Sequence, residues 1–339
     1  MESLAVKYRP TEFDDVSSQK SIIKILSRQL SLNSFSNCYI FSGPSGCGKT
    51  TLARIFSRKI NKGIGYPIEI DAASNNGVEN VRNIIDESYS RALSGEYKIY
   101  IIDECHMLTT QSWNAFLKCI EEPPKYTIFM FCTTDLQKIP DTIKNRCQIF
   151  NLNRINLNEI KNRLCYISNQ EGIKYDIDAL GYISKICNGS MRQGIAYLDK
   201  CKDFGDINMN NVLEALGNYS YATYFDLTNG IINRDQKTII NLINDLYNQG
   251  TDLKVFIDNY IDFVLDLAIY CNFNDINTTK IPVNLLNEVN YVTDIKTEVF
   301  NNKQWYNNYL DKLLEIKTQL KGDINPKTTL LIMLLSISK

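Results

Sequence analysis

Gly43-Pro44-Ser45-Gly46-Cys47-Gly48-Lys49-Thr50 decides the reading of this chain. The run fits G-x-x-x-x-G-K-[ST], a loop whose glycines let backbone N–H groups turn toward phosphate oxygens. It follows the apolar stretch Cys38-Tyr39-Ile40-Phe41 and precedes Thr51-Leu52-Ala53-Arg54-Ile55-Phe56, which reads as a helix. A strand before and a helix after are what this loop needs, because the helix adds its positive dipole end to the cradle. Lys49 can reach β- and γ-phosphates, and the Thr50 hydroxyl, with Thr51 beside it, opens the helix; Thr50 is positioned to bind Mg²⁺. Further on, Ile99-Tyr100-Ile101-Ile102-Asp103-Glu104 reads as a buried strand delivering an acidic pair to its C-terminal edge, where open α/β sheets bind ligands. Asp103 is the candidate for the magnesium shell, and Glu104 for orienting or deprotonating a water. A glycine turn and a solvated acidic corner would not place both features at strand ends. Nucleoside triphosphate binding with Mg²⁺ is the expectation.

Working outward, residues 1–152 alternate short apolar strands with helical periods, the signature of βαβ units and a parallel sheet. Strands are predicted at 38–42, 67–71, 98–103, 127–133 and 147–151. Asp71-Ala72-Ala73-Ser74-Asn75-Asn76-Gly77 is a loop opening a helix from Val78 to about Leu93, with Ser74 or Asn75 as N-cap. A second helix is predicted from Ser112 to about Glu121, stopped by Pro123-Pro124. From 153 to 217 the strand signal vanishes, and helices are expected at 158–170, 178–187 and 190–202. From 218 to 339 longer amphipathic helices are expected at 235–249, 251–271, 303–320 and 326–338, with Asn272 to Thr279 as the most loop-like stretch. The fold class is therefore an α/β P-loop domain, followed by a small helical lid and an all-α third domain.

The 339 residues are enough for such an organisation, and 44% hydrophobic with 22% charged residues is ordinary for a globular chain. No apolar run is long enough for a membrane span, and Met1 to Pro10 lacks the apolar core of a signal peptide. Ten cysteines are scattered without a C-x-x-C pair, and His106 is the only histidine, so no zinc site is expected and a reduced, cytoplasmic chain is the simpler reading. A formal net charge of −1 argues against an indiscriminate nucleic-acid binder, yet leaves room for a few local donors.

Further side chains bear on phosphoryl transfer, which is governed by charge placement. Thr134, just after Ile128-Phe129-Met130-Phe131-Cys132-Thr133, either satisfies its own backbone or lies beside the acidic pair and hydrogen-bonds the attacking water or the γ-phosphate. Arg146, at a helix end before the last strand, either satisfies helix carbonyls or acts as an arginine finger on a neighbour's phosphate. Arg192, bracketed by Gly189 and Gly194, is either a solvated helix-start cation or a lid group reaching the γ-phosphate; the glycines suggest a close backbone approach. His106 is read as a packed or hydrogen-bonded side chain, and Trp113 and Phe116 as core or subunit contact.

These residues together carry a resemblance to a family. Lys7-Tyr8-Arg9-Pro10, Glu69-Ile70-Asp71-Ala72-Ala73-Ser74-Asn75-Asn76-Gly77-Val78, Asp103-Glu104-Cys105-His106-Met107-Leu108, Glu121-Glu122-Pro123-Pro124, Arg146-Cys147 and Met191-Arg192 occur in order. So arranged, the chain resembles the AAA+ ATPase subunits of DNA clamp loaders, most closely the bacterial gamma/tau branch and less closely the small subunits of replication factor C. The resemblance implies that Thr134 is the polar sensor, that Arg146 acts in trans and that Arg192 is the lid sensor. It adds Tyr8, Arg9 and Pro10 to the nucleotide site beside Gly43 through Thr51. It implies a third-domain collar holding subunits in a spiral, a pentamer by expectation, that opens a sliding clamp on primer–template DNA. Hydrolysis then releases the clamp.

Candidate DNA contacts are Asn76, Gly77, Arg82 and Thr110, at helix starts whose backbone N–H groups can meet phosphates without reading sequence. The family's serine before the finger is Asn145 here, and Asn61 to Tyr66 stands where bacterial relatives usually insert a four-cysteine zinc module. The last residues fall where the collar should end. That implies a chain without the tail of tau-type relatives and, with the Asn- and Ile-rich composition, a phage-encoded loader in a bacterial cell. The rival readings are a non-hydrolysing scaffold subunit and another AAA+ DNA-processing motor.

Overall fold

The structure is a computed structural model that describes residues 2–216, 221–273, 303–323 and 325–337. The chain divides into two compact units, Met1–Lys174 with Ile183–Asp199, and Tyr175–Tyr182 with Lys200–Lys339. Residues 153–217, expected to form a lid, are thus divided between them.

In the first unit five parallel strands, β1 (Cys38–Ser42), β2 (Ile68–Asp71), β3 (Lys98–Asp103), β4 (Thr127–Thr133) and β5 (Gln148–Asn151), form one sheet of order β2-β3-β4-β1-β5. Each expected strand is present within a residue of its predicted bounds. The central strands β1 and β4 are buried throughout and read as continuous apolar runs, as parallel strands covered on both faces must. The edge strand β2 is largely exposed. Period-two alternation sends Tyr39, Phe41, Ile99, Ile101 and Met130 to one face, against Leu26 of α2 (Lys20–Leu32) and Leu52 and Phe56 of α3 (Lys49–Ile60). Ile40, Tyr100, Ile102, Phe129 and Phe131 go to the other. There they meet Val81 of α4 (Val78–Ser88), Trp113 and Phe116 of α5 (Thr110–Glu121) and Ile143 of α6 (Asp141–Lys144). Trp113 and Phe116 are core residues.

Some expectations need correction. α4 stops at Ser88, well short of Leu93, because the Ser88 hydroxyl turns back to the Ile85 carbonyl while Thr127 Oγ1 donates to the Ser88 carbonyl. Its N-cap is Gly77, with no side-chain cap, rather than Ser74 or Asn75. Asp71 organises that loop instead, accepting from Ala73 N–H at 2.9 Å and from the Ser74 hydroxyl at 3.3 Å. α5 begins at Thr110, two residues before its predicted start, because Thr109 caps it by accepting from Ser112 N–H. Cys38 and Cys147, neighbours across β1 and the entry to β5, are paired as a disulfide, against the expectation of uniformly reduced cysteines. Parallel pairing of Tyr39 with Gln148 puts the two preceding residues side by side, which spacing along the sequence does not reveal.

α1 (Leu4–Lys7) precedes the sheet, and α7 (Leu157–Gln170), α8 (Ile177–Ile186) and α9 (Met191–Lys202) follow it, close to their predicted bounds. The second unit adds α10 (Met209–Ala215), α11 (Tyr221–Ile232), α12 (Gln236–Asn248), α13 (Leu253–Phe273), α14 (Lys303–Leu320) and α15 (Pro326–Ile337). α10 and α11 escaped the sequence reading. α13 runs through Asn272 and Phe273, the start of the stretch read as loop; the remainder to Thr279 lies outside the described residues. No described helix is long and apolar enough to cross a membrane.

Candidate nucleotide site

β1 ends at Ser42, and the chain turns through Gly43 to Gly48 before Lys49 opens α3. Gly46 and Gly48 stand at φ +72° and +105°, conformations a side chain would strain. Cys47 is turned into the core, where burial pushes its thiol up, so it contributes packing and a backbone N–H rather than a reactive sulfur. Ser45 is exposed, and Thr50 and Thr51 are half-buried in the first turn of α3.

Lys49 is only 6% exposed. Its Nζ donates to the carbonyls of Gly43 at 2.9 Å and Pro44 at 3.0 Å, and among the described residues no carboxylate is paired with it. A buried ammonium held by carbonyls alone is poised for an external anion. Thr50 Oγ1 donates to Asp103 Oδ2 at 2.8 Å, bringing together the two groups expected to share a divalent cation. The donor set therefore fits a triphosphate with Mg²⁺, whose charge would polarise the phosphate oxygens. Among the described residues no cluster of three or more His, Cys, Asp or Glu side chains forms a separate metal site.

Asp103 closes β3, its Oδ1 accepting from Glu104 N–H at 3.0 Å. Glu104 adopts φ +47°, ψ +41°, a left-handed conformation uncommon for a residue with a side chain. That twist directs its carboxylate to Thr134 Oγ1 at 3.3 Å and His106 Nδ1 at 3.4 Å. Thr134, one residue past β4, thus lies beside the acidic pair as the sequence suggested. His106 also meets Thr133 Oγ1 at 3.3 Å. It is hydrogen-bonded, as expected, through Thr133, and its approach to Glu104 is one that sequence spacing did not indicate.

The close approach anticipated near Arg192 is found. Met191 N–H donates to the Gly46 carbonyl at 3.1 Å, and a Cβ on Gly46 would collide with the Ser190 hydroxyl. Arg192, the second residue of α9, is exposed beside the phosphate loop. Tyr8 hydrogen-bonds Glu171 at the end of α7, which also pairs with Lys7 at 2.6 Å, while Arg163 donates to the Tyr8 carbonyl at 2.9 Å. The Glu171 carboxylate pushes the Tyr8 hydroxyl up to about 12. Tyr8 is therefore tied to α7; half-buried Pro10 and exposed Arg9 follow it. Arg146, two residues past the end of α6, has Nη1 on the Thr142 carbonyl and Nη2 on Glu121, both at 2.7 Å.

The candidate DNA contacts come together at two helix starts. Ser112 Oγ donates to the Asn76 carbonyl at 2.6 Å, tying the loop before α4 to the first turn of α5. This places Asn76, Gly77 and Thr110 side by side, with Arg82 exposed one turn into α4.

A family described as DNA polymerase III, delta subunit matches residues 67–156, and one described as DNA polymerase III subunits gamma and tau domain III matches residues 207–284. A DNA polymerase III subunit gamma of Buchnera aphidicola subsp. Schizaphis graminum is 33% identical over 314 residues, covering 86% of each chain. The chain belongs to the DNA polymerase III gamma/tau family. The gamma/tau subunit of Mycoplasma genitalium is 35% identical over 83% of this chain, and the tau subunit of Bacillus subtilis 36% identical over 78%. This gamma/tau-family chain spans about half the length of those two relatives, 52% and 51%. The solved structure of Thermotoga maritima RuvB, a Holliday junction branch migration motor, matches with a TM-score of 0.53 at 20% identity, over 66% of this chain and 79% of that one. That likeness shows the AAA+ fold.

Proposed function

We propose that this chain is the ATP-hydrolysing motor subunit of a DNA sliding-clamp loader, acting in the cytoplasm of a bacterial cell. The observation that carries the reading is the buried Lys49 ammonium, held by the Gly43 and Pro44 carbonyls beside the Thr50–Asp103 pair. In this reading Gly43 to Thr51 cradle ATP, Thr50 and Asp103 hold Mg²⁺, and Glu104 orients or deprotonates the attacking water with Thr134 fixing its carboxylate. Arg192 reports the γ-phosphate to the lid, Tyr8-Arg9-Pro10 closes the base side, and Arg146 serves the site of an adjacent subunit. Residues 1–152, 153–217 and 218–339 then act as motor, lid and collar. The partners are a sliding clamp, primer–template DNA held without sequence preference at the paired starts of α4 and α5, and companion subunits in a pentamer. Intact Lys49, Thr50, Asp103 and Glu104 favour this reading over a non-hydrolysing scaffold.

The test is ATP turnover by the loader purified with its companions, with and without clamp and primed DNA. Lys49→Ala is expected to abolish clamp-dependent turnover. Arg146→Ala is expected to leave ATP binding intact and cut DNA-stimulated hydrolysis by about 10³-fold. Wild-type turnover in the Lys49→Ala complex would overturn the motor reading.

A further inference from the structure

Glu121 breaks a local rule. It is the last residue of α5, followed by Glu122 and the stop Pro123-Pro124. A carboxylate there sits at the negative end of the helix dipole, where a cation is favoured. What offsets this placement in the fold is Arg146, whose Nη2 meets Glu121 Oε1 at 2.7 Å. Nη1 of the same guanidinium donates to the Thr142 carbonyl at 2.7 Å. The two anchors come from different elements, and both elements are fixed from beneath. Trp113, Phe116 and Ile120 of α5 share one apolar cluster with Ile139 and Ile143 around α6. Arg146 itself is held by the α6 turn, its N–H donating to the Ile143 carbonyl at 3.0 Å. Both side chains of the pair are about four-tenths exposed, 42% and 38%. An ion pair in that setting adds little to folding stability. It does fix the direction of a long, flexible side chain and leaves most of the five guanidinium donors free for an anion outside the protomer.

We infer that Glu121 is the positioning residue for the Arg146 guanidinium, holding it extended toward the nucleotide of the adjacent subunit. This rests on the trans-acting reading of Arg146. Glu121 touches neither substrate nor reacting atoms; it removes the conformational search the arginine would otherwise make before each turnover.

The experiment is clamp- and DNA-stimulated ATP hydrolysis by the loader complex purified with its companion subunits, comparing Glu121→Ala, Glu121→Gln, Arg146→Ala and the double variant Glu121→Ala/Arg146→Ala. Glu121→Ala is expected to lower kcat about tenfold with KM for ATP unchanged, the signature of an interaction that serves the transition state alone. Glu121→Gln keeps shape and an acceptor oxygen, so it is expected to recover part of the loss and to guard against a folding artefact. The double variant is expected to turn over no more slowly than Arg146→Ala alone. If Glu121→Ala and Glu121→Gln turn over like wild type while Arg146→Ala is impaired, the positioning role is overturned and the trans role of Arg146 stands. If the Glu121→Ala loss persists in full on the Arg146→Ala background, Glu121 acts through something else and the inference fails. Wild-type turnover by Arg146→Ala would instead overturn the trans reading itself.

Discussion

Gly46 joins two jobs at one Cα. Its φ of +72° lets the loop turn its N–H groups toward phosphate, and its missing Cβ lets Ser190 and Met191 lie against the loop, with Met191 N–H on its carbonyl. Any side chain there strains the backbone and pushes the start of α9 away. Gly46→Val is therefore expected to cost about 1–3 kcal/mol from backbone strain and to weaken nucleotide binding, read as a lower Tm and an increased Kd for an ATP analogue. Retention of wild-type affinity would mean the contact with α9 is incidental. The glycine, like Lys49 and Thr50, was legible from the motif. That Ser190 is what presses on it was not, because the two lie far apart in sequence and only packing joins them. Glu104 shows the same limit. Its identity follows from the strand-end pattern, but its left-handed backbone and its contacts with Thr134 and His106 appear only in three dimensions.

Periodicity marks the helices, but not their ends where tertiary hydrogen bonds intervene. α4 fits the pattern as far as Leu93, yet Thr127 of a different strand takes the Ser88 carbonyl and ends it. In the second unit the helices are joined by a buried chain of hydroxyls that no periodicity encodes. Tyr260 of α13 is fully buried, with Tyr309 of α14 at 2.6 Å and Thr228 of α11 at 3.0 Å, and the Thr228 hydroxyl donates to the Tyr224 carbonyl. Such runs polarise one another in a low-dielectric setting, so the middle link matters most. Burial pushes the Tyr260 hydroxyl up to about 12, which keeps it neutral and able to donate across the working pH range. Tyr260→Phe is expected to destabilise the chain by about 1–3 kcal/mol, seen as a lower urea midpoint with unchanged slope. An unshifted midpoint would show that the three helices are held by apolar packing alone.

For the molecule as a whole, a net charge of −1 means that DNA cannot be gripped by a general basic field. In the proposed function the grip comes instead from a few donors gathered at one place, and the starts of α4 and α5, joined by the Ser112–Asn76 bond, are the candidate. DNA binding by the loader should weaken steadily with salt, and Arg82→Ala should reduce the slope of log K against log salt by about 1 without changing sequence preference. Salt-indifferent binding would place DNA elsewhere. The loop expected to replace a zinc module is closed by one side chain. Asn61 donates to the Tyr97 carbonyl at 2.8 Å and accepts from Glu96 N–H at 3.1 Å and Tyr97 N–H at 2.9 Å. A single amide thus fastens the start of the Asn61 to Tyr66 segment to Glu96 and Tyr97, which lead into β3.

The sequence by itself determined the sheet, the phosphate loop and the acidic pair. Each is written in a local pattern: continuous apolar runs for doubly covered strands, glycines where the backbone must turn, charge at a strand end. Only the tertiary structure decided which side chains those groups face. Glu121 under Arg146, Glu171 on Tyr8 and Cys38 beside Cys147 are partners from distant segments, brought together by strand order and helix packing, and no window along the chain contains both members of any pair.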